Sequence, residues 1–187
     1  MSRASEYIIL CEDILHKVFV QRFLKNYKVP SRIIKTIPPP VGIGCGEQHV
    51  RTKYPNEVKA YRARQSKAIT ALIVVIDADI CTVEQRQRQL ENAAESAGVD
   101  LRPDGKWIVH LIPKRHIETW LAFLDDLADV DETTDYKSQY AFRGKESESH
   151  PLTDKFTEMF RQHQSPSENL PSLKQALHEL ERLRNIL

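Results

Sequence analysis

The sequence predicts an α/β protein: a mostly parallel four-stranded sheet with helices on both faces and a C-terminal helical extension. Three observations carry this. Short apolar runs alternate with stretches of helical periodicity. The third run, Ala71 to Ile76, is uniformly apolar and rich in β-branched residues, as a strand covered on both faces requires. Finally, acidic residues follow the first and third runs directly (Glu12, then Asp77 and Asp79), and ligands of parallel sheets gather at the carboxyl ends of strands.

Composition sets the frame. The chain has 187 residues, 41% hydrophobic and 28% charged, with a formal net charge of +1. That is enough for one α/β core plus a helical tail, read as residues 1–130 and 131–187 packed on the same domain. A balanced charge removes any global signal for nucleic acid, so electrostatic arguments must be local. Cys11, Cys45 and Cys81 form no paired motif, which points to a reducing, cytoplasmic setting without a disulfide frame. No apolar segment approaches the roughly 20 residues a membrane helix needs, and no signal peptide is evident, so no membrane role is expected.

In chain order, Tyr7 to Cys11 is the first strand and ends at Glu12. Asp13 is placed to cap the helix that follows, whose stripe runs from Ile14 and Leu15 to Phe23 and Leu24, with Pro30 as its stop. Arg32 to Ile37 reads as a strand nearer an edge, because it carries Arg32 and Lys35. Pro38 to Pro40 break regular structure, and Gly42 to Gln48 form a loop. That loop lacks the Lys-Ser/Thr of a phosphate-binding P-loop and is read as flanking the site. A helix is expected from about Pro55 towards Lys67. The stretch holds Arg51, Lys53, Lys59, Arg62, Arg64 and Lys67 with Tyr54 and Tyr61 interleaved. It is either a solvated face or a surface for a phosphate backbone.

The third strand delivers Asp77 and Asp79. At i, i+2 in an extended segment the two carboxylates point the same way. They either cap the next helix and meet solvent, or hold a divalent cation. Thr82 to Ala97 is a polar helix with Thr82 as cap and Gly98 as stop. Asp104-Gly105 is a turn, and Trp107 to Ile112 is the fourth strand, with His110 as a packed core residue. From His116 a helix follows with stripe Ile117, Trp120, Leu121, Leu124 and Leu127. Glu118 in its first turn is either a dipole partner or a further carboxylate at the sheet edge, with Lys114 and Arg115 as nearby cations. After an acidic stretch and a polar loop come two amphipathic helices, Leu152 to Phe160 and Leu173 to Leu187. The stripe Leu173, Leu177, Leu180 either packs on the home sheet or docks a partner.

This order, a glutamate after the first strand and Asp77-x-Asp79 after the third, resembles the Toprim domain, a Rossmann-like sheet found in topoisomerases, primases and OLD-type nucleases. It is most similar to small stand-alone Toprim-like proteins of bacterial defence loci, in which a segment like Arg115-His116-Ile117-Glu118-Thr119-Trp120 follows the fourth strand. The resemblance spans about Glu6 to Leu127. It implies Mg²⁺- or Mn²⁺-dependent phosphodiester hydrolysis of DNA or RNA in antiviral defence. Asp77 and Asp79 would hold the metal, with Glu12 as ligand or general acid/base. Glu118 would complete a second site, and Lys114 or Arg115 would stabilise transition-state charge. An ATPase partner subunit is implied as well. The alternative is a non-catalytic nucleic-acid-binding or regulatory subunit of such an ATPase-containing complex.

Overall fold

The structure, a computed structural model, describes residues 4–37, 45–99 and 107–187. Four strands, β1 (Glu6–Cys11), β2 (Ile34–Ile37), β3 (Thr70–Val75) and β4 (Ile108–Leu111), form one all-parallel sheet in the order β2-β1-β3-β4. The predicted fold class is therefore observed. The uniformly apolar third strand lies between β1 and β4, and the Lys35-bearing strand is at an edge.

Side-chain alternation divides the core into two layers. Tyr7, Ile9, Cys11, Ala71, Ile73 and Val75 face one side. There they meet α1 (Ile14–Asn26), α4 (Ile117–Leu124), α5 (His150–Arg161) and α6 (Pro171–Leu180). Ile8, Leu10, Leu72, Val74 and Ile76 face the other side, under α2 (Gly46–Gln65) and α3 (Val83–Ser96). The first layer is thick because aromatic rings fill it: Phe19 and Phe156 have centroids 4.9 Å apart, and Phe156 stacks on Trp120 at 6.5 Å.

Local rules fix most boundaries as expected. The Asp13 side chain accepts the His16 N–H at 2.8 Å and caps α1. Thr82 and Gln85 form a reciprocal capping box at α3, which ends before Gly98 at φ +67°. His110 is a core residue, its Nε2 3.0 Å from the Tyr54 hydroxyl. Two boundaries are corrected. The last helix, expected to reach Leu187, ends at Leu180 before a short 3-10 turn, Glu181–Leu183. Helix α2 begins at Gly46, not near Pro55, and Pro55 sits inside it. Its buried stripe is thin, with Val50, Tyr54, Val58 and Tyr61 set in an otherwise polar sequence. Pro38 to Pro40, Gly42 to Gly44 and the Asp104-Gly105 turn lie outside the described residues.

The C-terminal leucine stripe settles on the home sheet. Leu173, Leu180 and Leu183 are fully buried, and Leu177 nearly so, in the same core as β1 and β3. The partner-docking reading of that stripe is thereby corrected: helix α6 has no apolar face left to offer. It also covers the outer edge of β4, where Glu179 accepts the outward-pointing N–H of His110 at 3.2 Å. Among the described residues no helix is long and apolar enough to cross a membrane.

Candidate active site

Strand order places the acids. Because β1 and β3 are neighbours with Cys11 opposite Val75, the residues just beyond them meet. Glu12 Oε2 accepts the backbone N–H of Asp77 at 3.1 Å. Glu118, in the first turn of α4, lies close enough to Asp77 to feel its charge, as does Glu12. Three predicted carboxylates, Glu12, Asp77 and Glu118, thus converge at one sheet edge.

The electrostatics follow from that crowding. Burial and the Asp77 charge push the Glu12 carboxyl up to about 7. Burial, with Asp77 adding to it, likewise pushes Glu118 up to about 7. The compensating cation is a residue that sequence patterning did not single out. His16 is fully buried, and its Nε2 lies 3.0 Å from Asp77 Oδ1. Burial opposes its charge, but Asp13, Asp77 and Glu12 outweigh burial and raise it to about 10. Its Nδ1 is 3.7 Å from Asp13 Oδ1, so the ring lies between two carboxylates.

Asp77 and Asp79 do not point the same way, contrary to the i, i+2 expectation. Strand β3 ends at Val75, and the chain beyond it follows 113–115 instead, with Ala78 N–H on Pro113 O at 2.8 Å and Asp79 N–H on Arg115 O at 3.1 Å. Asp79 then takes φ +53°, a left-handed conformation that Asp adopts more readily than most residues. Asp77 turns towards α1, whereas Asp79 sits 3.3 Å from His116 Nε2 and 3.6 Å from an Arg86 amino nitrogen. Arg86 is itself buried, and it bonds Glu47 and the carbonyl of Ala78.

The predicted cations are elsewhere. Lys114 Nζ donates to the Cys81 carbonyl at 2.7 Å, and Arg115 reaches Asp135 at 3.6 Å. His16 and Arg86 occupy the place assigned to Lys114 and Arg115, with His116 beside Asp79 held below its usual value by burial. The basic run is divided as well. Arg51 pairs with Glu47 near the site end of α2. Lys53 and Lys59 are exposed along the helix, and Arg62 is half-buried. Arg64 pairs with Glu6 at the start of β1, close to Lys67. At about 1.5 Å per residue, Gly46 and Arg64 are roughly 27 Å apart. The far half of the run therefore lies at the opposite end of the sheet from the carboxylates.

Gly46 is a further site-shaping residue. A methyl group there would run into the Glu12 carbonyl oxygen and lie 2.6 Å from its Cγ, so the start of α2 approaches Glu12 as only glycine permits. For a divalent metal, the donor chemistry fits: the convergent side chains supply hard oxygens, as Mg²⁺ or Mn²⁺ prefers. Among the described residues, however, no group of three or more His, Cys, Asp or Glu is already arranged to hold an ion. Internal cations stand against Asp77 and Asp79 instead. Comparison with protein-family models, with curated proteins and with solved structures gives no match.

Proposed function

We propose that this protein is a divalent-metal-dependent phosphodiesterase acting on nucleic acid. The observation that carries the reading is the meeting of Glu12 and Asp77, just beyond adjacent parallel strands, with Glu118 from the first turn of α4, and with Asp79 two residues on. Carboxylates held this close beside a dry core favour a bound cation. Asp77, with Glu12 beside it, would hold Mg²⁺ or Mn²⁺, and Asp79 would join as a ligand on leaving His116 and Arg86. When bound, the metal would polarise a phosphate and favour attack by water. The chain's own contribution is orientation and proton transfer. His16 fixes the Asp77 carboxylate against α1. Glu118 and Glu12, both raised to about 7, are suited to accept and return a proton near neutral pH. In its fuller form the reading makes the protein a cytoplasmic effector of an anti-phage or toxin-like system, working beside an ATPase subunit.

A second reading is favoured by one observation. His16 stands against Asp77 and Arg86 against Asp79, so the edge is partly neutralised by the chain itself; burial holds the His116 imidazole beside Asp79 below its usual value, so it adds little charge. A non-catalytic nucleic-acid-binding or regulatory subunit needs no more than that. One experiment separates the two. Incubation of plasmid and RNA with Mg²⁺ or Mn²⁺ is expected to give cleavage that Asp77→Ala abolishes, with Mg²⁺ uptake measured by calorimetry and weakened in Asp79→Ala. Cleavage that survives loss of Glu12, Asp77 and Asp79 together would overturn the first reading. Metal-independent, salt-sensitive binding without cleavage, weakened in Arg62→Ala/Arg64→Ala, would establish the second.

A further inference from the structure

A cavity of about 350 Å³ opens beside the carboxylates, between the start of α1, the first turn of α4 and the 137–146 loop. Its apolar wall is Ile14, Leu15 and Phe142. Ile14 is half exposed, one of two large apolar side chains exposed among the described residues, and Phe142 is only partly covered by the core beneath it. Asp13 and Glu118 form the side nearest the cluster. Lys137 and Arg143 stand exposed on the 137–146 side together with Glu146; neither cation forms an ion pair with a carboxylate among the described residues, and the Lys137 charge reaches Glu118.

Each feature narrows the occupant. The volume lies at the small end of pockets that hold compact organic ligands, about 300–1,000 Å³, so the space suits one nucleotide and not a stacked duplex. An apolar wall with an aromatic ring matches the face of a nucleobase, whose exchange of water for such a surface is favourable whatever the base. Asp13 and Glu118 offer acceptors to ring N–H and amino groups at a base edge. Lys137 and Arg143, two cations against the single carboxylate of Glu146 on the loop side, match the phosphates on either side. The cavity shares Glu118 with the carboxylate cluster, so a strand with one residue in it passes the acids directly.

We infer that this cavity is a subsite for a single unstacked nucleotide, with its base against Ile14 and Phe142 and its phosphates towards Lys137 and Arg143. The inference rests on the reading of this sheet edge as one that engages nucleic acid, and it adds the form of the substrate: a single-stranded, or locally unpaired, segment. A base paired within a duplex would have to leave the stack to enter.

The test measures binding without metal, in EDTA. The probes are a single-stranded DNA of about 12 nucleotides with a central 2-aminopurine, its RNA counterpart, and the blunt DNA duplex. Fluorescence anisotropy is expected to show the wild type binding the single strands about tenfold or more tighter than the duplex, with a change in 2-aminopurine emission. Ile14→Ser/Phe142→Ala should lose roughly tenfold in single-strand affinity and the emission change, since stacking on a protein side chain is of that size. Lys137→Ala/Arg143→Ala, both on the surface, should weaken binding and flatten its salt dependence. Equal affinity for single strand and duplex overturns the subsite, as does an Ile14→Ser/Phe142→Ala protein that is folded by circular dichroism and binds like wild type. If that variant does not fold, unchanged affinity in Lys137→Ala/Arg143→Ala overturns it. Failure of the hydrolase reading looks different: single-strand preference and the emission change persist, but no Mg²⁺-dependent cleavage occurs. Cleavage without any single-strand preference removes the subsite and leaves the hydrolase reading standing.

Discussion

Glu118 and Glu12 store free energy against the fold. A carboxyl raised to about 7 binds its proton more tightly folded than unfolded. Its charged form therefore costs stability above pH 7, and that cost disappears as pH falls towards the unfolded value near 4.5. His16 acts in the same direction at higher pH. Raised to about 10, it contributes stability that is complete below its unfolded value near 6.5 and is lost as pH rises through 10. All three make stability fall between about pH 5 and pH 10. At about 1.4 kcal/mol per pH unit, the Glu118 penalty is on the order of 3 kcal/mol at pH 8. Glu118→Gln is therefore expected to raise the melting temperature by several degrees at pH 8 and by almost nothing at pH 4.5, measured by calorimetry at both values. A variant no more stable than wild type at pH 8 would show that Glu118 is not strained. Stability sacrificed at one carboxylate is a common signature of a functional site.

At the scale of the element, the start of α2 matters most. Gly46 lies against Glu12 so closely that any Cβ displaces one of them. Overpacking of this kind costs about 1–3 kcal/mol. Gly46→Ala is expected to lower thermal stability by that amount and to disturb the Glu12 to Asp77 contact, read as changed chemical shifts at the Asp77 amide. The same amide shift in Gly46→Ala as in wild type would show that the helix start can retreat freely. This contact also marks where the sequence stopped being legible. Three of the strands are visible as short, mostly apolar runs and β2 as one interrupted by Lys35 and Thr36, and Asp13, Thr82 and Gly98 act through local chemistry alone. Helix α2 hides its first nine residues because Val50 and Tyr54 are the only buried groups before Pro55, and a proline reads as a start. His16 and Arg86 carried a usable signal: each is a titratable residue on a buried stripe, beside Phe19 and Val20 or Leu90 and Ala94. The divergence of Asp77 and Asp79 had none, since it depends on a left-handed residue that Asp permits without demanding.

Across the whole molecule, the C-terminal helices are part of the fold and not an appendage. Phe156 joins Phe19, Phe23 and Trp120, and the last turn is tied back to the first strand and the residues before it: the Ile186 carbonyl accepts from the Tyr7 hydroxyl of β1 and from the Ala4 N–H at 3.3 Å. Each buried leucine contributes about 1.5–3 kcal/mol, against a total stability of about 5–15 kcal/mol. Leu177→Asp/Leu180→Asp is therefore expected to abolish the cooperative thermal transition seen by circular dichroism. A double variant that still melts cooperatively near the wild-type temperature would show the stripe to be dispensable.

The Glu179 carboxylate over β4 has a consequence for self-association. A parallel sheet ends in two rows of backbone groups that invite another strand, and such edges are where chains stick to one another. Here one edge is roofed by α6, with its outward N–H at His110 already engaged. The other, β2, is four residues long and displays the Lys35 ammonium, paired with Glu6. The first is closed to an added strand, and the second, short and charged, disfavours one. Copies of this chain that assemble are therefore expected to meet through helices and loops, and growth into a continuous intermolecular sheet through β4 is disfavoured while α6 stays in place.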